Sequence, residues 1–392
     1  MLAVEQAVAA PLATRTLADL GARVIKIERP DGGDLARYYD DAMSGWSSFF
    51  VWLNRGKESV TLDLKAAEGR EILGRLLDRS DVFVHNLAPG AVDRLGFGTE
   101  VMADRWPTVI DARVTGYGSD GTWRDKKAYD LLVQAEAGLL SLTGTPDEMA
   151  KVLISVADIA AGTQLSIGIL AALIIRSHSG RASPVEVSLF DSMTEWMSAP
   201  LYFSMGAGRS PQRAGARHAT IASYGPYSTA GGGAVVVAVQ NERDWHALCT
   251  KVLARPNLVE DERFVDNVRR VENRNNLDEI LNAYCSGKAA SDLARELDAA
   301  GIANGQINRL IDVAAHPELQ NRLRWTKVGT EHANLEVLRS PLDRGTAPTA
   351  RCRTSIPVLG EHTEAVLHEI GMDISEIAAS GRADMARRAD IV

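Results

Sequence analysis

The sequence predicts an α/β protein, with a parallel sheet covered by helices on both faces followed by a smaller α/β unit. Short β-branched runs alternate with helix-spaced apolar stretches through the first half, which is the pattern of βαβ units. Composition shifts near residue 195, where Met, Gly, Pro, Tyr and Ser accumulate, and a new strand pattern opens at Ala234. The 392 residues suffice for two domains at roughly 150 residues each.

Met1-Leu2-Ala3-Val4 is the only apolar run available to open the sheet. A doubly wound domain normally opens on a hydrophobic strand, so either this one is very short or residues precede it. Thr14 to Leu20 carries helical spacing, and Arg23 to Ile27 reads as the next strand. Ser59 to Leu62, Asp81 to Val84 and Thr108 to Ala112 continue the strand series, and Ile72, Leu73, Leu76 and Leu77 mark a helix between the first two. An apolar helix from about Ile159 to Ser177 ends at Ser179-Gly180, and Val185 to Phe190 is a further strand. Residues 196–232 read as linker and loop. The second unit begins with the strand Ala234 to Val239, continues through amphipathic Asp244 to Leu253, and runs to about Leu310. The tail holds a polar strand region and a helix at Glu364 to Ile370.

Composition excludes several classes. Hydrophobic content of 45% and charged content of 24% are those of a folded protein rather than a disordered, collagenous or coiled-coil chain. A net charge of −8 argues against a general nucleic-acid binder, which needs surplus Lys and Arg to displace counterions. The three cysteines, Cys249, Cys285 and Cys352, form no CxxC and have no His at ligand spacing. That excludes a disulfide scaffold and a zinc ribbon, and it fits a reducing, cytoplasmic setting. No metal motif occurs, and the opening residues lack a basic signal-peptide region. The longest apolar run, Leu165 to Ile175, has 11 residues, too few to cross a bilayer, so no membrane partner is expected.

Gly116-Tyr117-Gly118-Ser119-Asp120-Gly121 matches GxGxxG, but the polar Thr122 to Lys127 follows it instead of an apolar helix, so a turn is expected rather than a dinucleotide site. Lys26, Arg29, Lys57, Lys65, Arg94, Lys126 and Lys127 sit at strand ends and in loops. They fit phosphate recognition or, by composition alone, solvated surface charge. Asp158 precedes the apolar helix. It suits a helix N-cap, and among Ala and Gly neighbours it also suits a nucleophilic carboxylate. His218 lies in a small-residue loop and His85 ends a strand. No Gly-x-Ser-x-Gly or Ser-His-Asp pattern is present.

Taken in order, these segments resemble the class III CoA-transferases. The resemblance rests on Val24-Ile25-Lys26-Ile27-Glu28-Arg29-Pro30 with Gly33-Asp34, Asn54-Arg55-Gly56-Lys57 with Val60 to Lys65, and Asn86-Leu87-Ala88-Pro89-Gly90 with Arg94-Leu95-Gly96. Gly116-Tyr117-Gly118, Lys127-Ala128-Tyr129-Asp130, Asp158 with Gly162, and Leu359 to Thr363 complete it. It spans nearly the whole chain. It implies a Rossmann-like large domain built from both chain ends (1–195 and 319–392), a small domain at 233–318, and two chains interlocked as rings in an obligate homodimer. It further implies an acyl-CoA donor and a carboxylic-acid acceptor, with CoA as cosubstrate and no tightly bound cofactor. By resemblance, Asp158 is the catalytic nucleophile. Val8, Ala9, Arg29, Leu62, Lys65, Asn86, Leu87, Ala88, Arg94, Lys127, Tyr129 and Asp130 contact CoA, and Gln6, Tyr39, Arg217 and His218 contact substrate.

The resemblance also frames the reaction. Racemases of this family carry a His about 30 residues before the Asp; here Tyr129 stands 29 before Asp158. With an unperturbed pKa of about 10, tyrosine is a poor proton shuttle, which favours transfer over racemisation or a non-catalytic CoA-binding role. The oxalate-type enzyme places a glutamine where this chain has Val8, with Gln6 two residues earlier, and its tetraglycine loop is replaced by Gly215 to Thr220. Glu5 to Pro11 and Arg217 to Ala222 look more like the subgroup acting on four- and five-carbon dicarboxylates, in which Arg217 or His218 would hold the distal carboxylate.

Overall fold

The computed structural model describes residues 1–331, 333–342 and 355–372; Cys352 lies outside them. The elements of the first half are β1 (Leu2–Val4), α1 (Ala9–Asp19), β2 (Ile25–Glu28), α2 (Ser48–Asn54), β3 (Glu58–Thr61), α3 (Ala67–Leu77), β4 (Val82–His85), α4 (Ala91–Arg94), α5 (Thr99–Arg105), β5 (Ile110–Thr115), α6 (Asp130–Glu136), α7 (Leu139–Leu142), α8 (Val156–Ser179), β6 (Val185–Ser188) and α9 (Leu189–Trp196). After them come α10 (Ser198–Ala207), β7 (Tyr224–Ser228), β8 (Ala234–Ala238), α11 (Glu242–Ala247), α12 (Asn267–Glu272), α13 (Arg274–Cys285), α14 (Ala290–Ala300), β9 (Ala303–Gln306), α15 (Leu310–Val313), α16 (Pro317–Asn321), β10 (Trp325–Gly329), β11 (Asn334–Leu338) and α17 (Thr363–Glu369).

Two compact units result. The first comprises Met1–Gly138, Val152–Ala199 and the described residues from Asn321 onward; the second comprises Leu139–Lys151 and Pro200–Gln320. The sequence reading assigned 139–151 to the first half without a break, and it began the small domain at 233 rather than 200.

The first unit holds a six-stranded sheet in the order β3-β2-β1-β4-β5-β6, with every neighbouring pair parallel. The three residues of β1 suffice because Leu2 and Ala3 are fully buried between β2 and β4. The chain runs outward from β1 in both directions, and in open parallel sheets this reversal leaves a crevice at the strands' carboxyl ends, here beside β1 and β4. On one side of the sheet Leu2, Val4, Ile27, Val60 and Phe83 pack with Leu73 and Leu77 of α3 and with Val366 and Leu367 of α17. Burial of such side chains contributes roughly 1.5–3 kcal/mol each. The segment before α17 is tied to β3, since His362 N–H donates to Ser59 O and Thr61 N–H to Thr363 Oγ1.

Helices α1 and α8 approach so closely that a Cβ on Gly162 would stand 2.5 Å from Ala9 O, which explains glycine there. The apolar helix expected from about Ile159 to Ser177 spans Val156–Ser179, 24 residues, and by length and composition alone it could cross a membrane. Here Ala157, Ala160, Ala161, Leu165 and Ile169 are buried within the unit.

The second unit carries the antiparallel sheet β7-β8-β9. Tyr227, Val235 and Val237 meet Trp245, Leu248, Phe264, Leu277, Leu281, Leu293 and Leu297 in its core. One expectation is corrected. Residues 198–207 form α10 rather than linker: Leu201 and Met205 favour helix, and Pro200 falls in the first turn, where its missing N–H costs nothing. The amphipathic Asp244 to Leu253 stretch is helical, as α11 followed by a π-helical turn at Leu248–Val252.

Candidate active site

Asp158 is the third residue of α8, in its first turn rather than at its N-cap. The N-cap is Ser155, whose side chain makes no capping bond. Instead Asp130, the first residue of α6, reaches across and its Oδ1 accepts from Ala157 N–H at 2.8 Å. The carboxylate of Asp158 is half-buried; among the described residues it pairs with no cation. Burial and, second, the neighbouring charge of Asp130 push its pKa up to about 7, because both disfavour a second anion at that place. Tyr39 lies within its electrostatic surroundings. Burial, then the charges of Asp34 and Asp158 and the Tyr129 hydroxyl, raise the Tyr39 phenol above its ordinary value.

The turn joining β1 to α1 closes on the same helix, where Val8 packs with Leu12, Leu53 and Ile159. This turn is tightly held. Asn86 Oδ1 accepts from Gln6 N–H at 2.9 Å and Asn86 Nδ2 donates to Gln6 O at 2.8 Å. Ala7 takes a left-handed φ of 62°, a conformation that costs a non-glycine residue about 1 kcal/mol or more; its N–H is bound by Asp34 Oδ1 at 3.0 Å.

Below the turn lies a buried ionic network. Lys26 Nζ donates to Asp34 Oδ2 at 2.6 Å and to Asn54 Oδ1 at 2.9 Å. Lys57 Nζ donates to Glu5 Oε1 at 2.6 Å, Pro11 O at 3.0 Å and Asn54 Oδ1 at 3.2 Å. Both lysines are 0% exposed. They are neither solvated surface charges nor free for phosphate, which sets aside both sequence readings. Burial disfavours the Lys26 charge, but Asp34, Glu5 and Glu28 outweigh it and hold the ammonium above its ordinary range. Lys57 is pushed down to about 8, mainly by burial. Glu28 is held at about 2: burial opposes its charge, but bonds from Arg37 and Ser59 and the Lys26 charge prevail.

The remaining residues named from the sequence fall as follows. Arg29, Leu62, Lys65, Asn86, Leu87, Ala88 and Arg94 follow the carboxyl ends of β2, β3 and β4, on the crevice side of the sheet. Arg29, Lys65, Ala88, Arg94 and Lys127 are exposed, whereas Leu62 and Ala9 are buried. Tyr129 is 71% exposed and precedes α6. Asp130 is engaged with the backbone of α8 and with Gln134. The GxGxxG segment forms turns, and α6 begins only at Asp130. In the second unit Arg217 Nε donates to Asp278 Oδ2 at 2.7 Å, and Asp278 Oδ1 accepts from the Tyr227 hydroxyl at 3.0 Å. His218 is exposed and stacked on Tyr224 at 5.2 Å between centroids. Asp34, Asn54, Glu5 and Gln134 received no role from sequence reasoning, although Asp34 and Asn54 stand in strings that carry the resemblance and Glu5 opens the Glu5 to Pro11 segment.

Three comparisons bear on this arrangement. The family model described as CoA-transferase family III matches residues 1–363. An acetyl-CoA:oxalate CoA-transferase from Acetobacter aceti is 34% identical over 81% of this chain and 82% of its own length. A succinate–glutarate CoA-transferase from Agrobacterium fabrum is 31% identical over 92% of each chain. Among solved structures, a CaiB/BaiF family protein from Brucella suis superposes with a TM-score of 0.82 at 33% identity, covering 94% of this chain and 98% of its own.

Proposed function

The chain belongs to CoA-transferase family III, and we propose that it moves CoA between small dicarboxylic acids through covalent intermediates on Asp158. The observation that carries this reading is a half-buried carboxylate without a cationic partner, at the residue the family resemblance marks as nucleophile, with its pKa raised to about 7. A carboxylate so poised is ionised in part at neutral pH and is not quenched by an ion pair.

In this mechanism an Asp158 oxygen attacks the thioester carbonyl of the donor and the C–S bond breaks. CoA thiolate leaves, and a mixed anhydride joins the acyl group to Asp158. The thiolate then attacks the Asp158 carbonyl carbon, releasing the donor acid as its carboxylate and forming an aspartyl-CoA thioester. The acceptor carboxylate attacks that thioester and displaces the thiolate, giving a second mixed anhydride; the thiolate then attacks the acceptor carbonyl of this anhydride, forming the new CoA thioester and releasing Asp158 as its carboxylate. Each step exchanges one acyl bond for another, so the thioester energy is conserved and no net proton or ATP is needed. The anhydride must be kept from water, and backbone N–H donors suit the developing oxyanions.

For the CoA itself, Arg29, Lys65, Arg94 and Lys127 supply exposed charge for phosphates. Val8, Ala9, Leu62, Asn86, Leu87, Ala88 and Tyr129 line the pantetheine path. The strand order supports a Rossmann-like reading of the large domain. Gln6, Tyr39, Arg217 and His218 serve the acyl and acceptor groups. A second copy of the chain is part of the proposal: Ile167, Leu170 and Ile174 line one exposed face of α8, an arrangement that suits burial in an interlocked homodimer. The free, buried Cys249 and Cys285 agree with a cytoplasmic setting.

The test is a panel of acyl-CoA donors against oxalate, succinate, glutarate, mesaconate and monocarboxylates. New CoA esters are expected with dicarboxylates, and Asp158→Ala should abolish them. Turnover surviving in Asp158→Ala, or α-proton exchange into D2O without transfer, would overturn the reading. Arg217→Ala should raise KM for a dicarboxylate acceptor and not for a monocarboxylate; equal effects on both would remove Arg217 from the acceptor site.

A further inference from the structure

We propose that Asp130 and Gln134 act together as the positioning device of the nucleophile, binding the first turn of α8 from outside rather than binding CoA. This rests on the reading of Asp158 given above. An N-cap side chain normally satisfies the N–H of the second or third helical residue; in α8 the N-cap Ser155 does not. The bond is supplied instead by Asp130, from a separate helix, to Ala157, the residue next to Asp158. The other oxygen of Asp130 is held in turn, since Oδ2 accepts from Gln134 Nε2 at 2.7 Å. Gln134 is 0% exposed and grips the chain leading into α8: its Oε1 accepts from Val152 N–H at 3.1 Å and its Nε2 donates to Val152 O at 3.3 Å. One buried amide thus fixes both the capping carboxylate and the strand of backbone that enters the catalytic helix. Both oxygens of Asp130 are thus engaged with protein donors, which assigns the side chain to the helix entrance rather than to CoA.

The arrangement has an electrostatic consequence. The positive end of a helix dipole stabilises an anion in the first turn. Here an anion already sits there, so Asp158 must ionise beside Asp130. The other charged groups on elements packed against α8 lie in closed pairs or on other faces: Arg15 with Asp19 on α1, and Arg113 with Glu186 across β5 and β6. Asp191 and Glu195 of α9 are acidic and give no cation to offset Asp130.

The experiment uses the full chain with the donor and acceptor pair selected by the panel, and free coenzyme A as the binding probe. Asp130→Ala should lower kcat at least tenfold while the Kd for coenzyme A stays within about twofold. Asp130→Asn keeps an oxygen for the Ala157 N–H and removes the charge, so it should fold normally and shift the acid limb of kcat/KM to lower pH. Weakened coenzyme A binding with kcat retained would overturn the proposal by making Asp130 a CoA contact. An unmoved acid limb in Asp130→Asn, or unchanged kcat in Asp130→Ala, would overturn it as well. Asp158→Ala run in parallel separates the two ideas: if it is dead while both Asp130 variants behave as wild type, only the positioning role fails, and if it is active the underlying reading fails.

Discussion

At the residue scale, half-buried Asp158 and buried Glu28 are displaced in opposite directions, and each writes a different pH dependence into stability. Asp158 has its folded pKa raised to about 7, so between its unfolded value and about 7 the folded state holds more protons than the unfolded one. Stability therefore falls as pH rises through that window and is level above it. Asp158→Asn should remove this loss and stabilise the protein above pH 7 by on the order of 1 kcal/mol; a melting series from pH 4 to 8 checks it, with the variant gaining most at the alkaline end. Glu28 has its folded pKa lowered to about 2. Its contribution is complete above its unfolded value and is lost as pH falls towards about 2, so Glu28→Gln should flatten acid unfolding in that range while destabilising the protein at neutral pH. The buried lysines show what the sequence could not reveal. Lys26 and Lys57 stand in motif strings that read as phosphate sites, yet the partners that bury them, Glu5, Asp34 and Asn54, come from other segments. No local pattern reports that.

At the scale of elements, the pairing of α1 with α8 sets the geometry around Asp158. Gly162 allows it: a side chain there would press on the backbone of α1 at Ala9. Gly162→Val should force the helices apart, costing about 1–3 kcal/mol, and should depress turnover more than coenzyme A affinity. A normal melting temperature with full activity would refute that role. The strands of the sheet were legible because their apolar runs are buried on both faces: β2, β3 and β4 fall within a residue or two of the expected stretch, and β5 runs three residues beyond it. The helix carrying Asp158 was legible in type but not in its start. Its true N-terminus lies earlier than the apolar pattern because the Ala157 N–H is capped by Asp130, far away in sequence. Helix α10 was missed because Pro200 and Gly206 read locally as breakers.

At the scale of the whole molecule, apolar side chains remain uncovered on a single chain. Ile167, Leu170 and Ile174 are spaced along one face of α8, and Trp196, Leu201, Tyr202 and Met205 are exposed on α9 and α10. Light scattering should give about twice the 42.3 kDa chain mass, and Ile167→Lys combined with Ile174→Lys should lower that mass or the yield of folded protein; a stable, active monomer would contradict the dimer. The order of motifs along 1–363 made the family readable, whereas the acceptor acid was not, since the groups that would select it, Arg217 and His218, sit in a loop of the second unit. The central claim is that Asp158 carries the acyl and CoA groups covalently. Hydroxylamine quenching of the enzyme during turnover with an acyl-CoA donor, followed by peptide mass spectrometry, tests it most directly. The account predicts a hydroxamate on Asp158 that is absent without donor and absent in Asp158→Asn. An unmodified Asp158 in an enzyme that is turning over, or a hydroxamate on a different side chain, would contradict it.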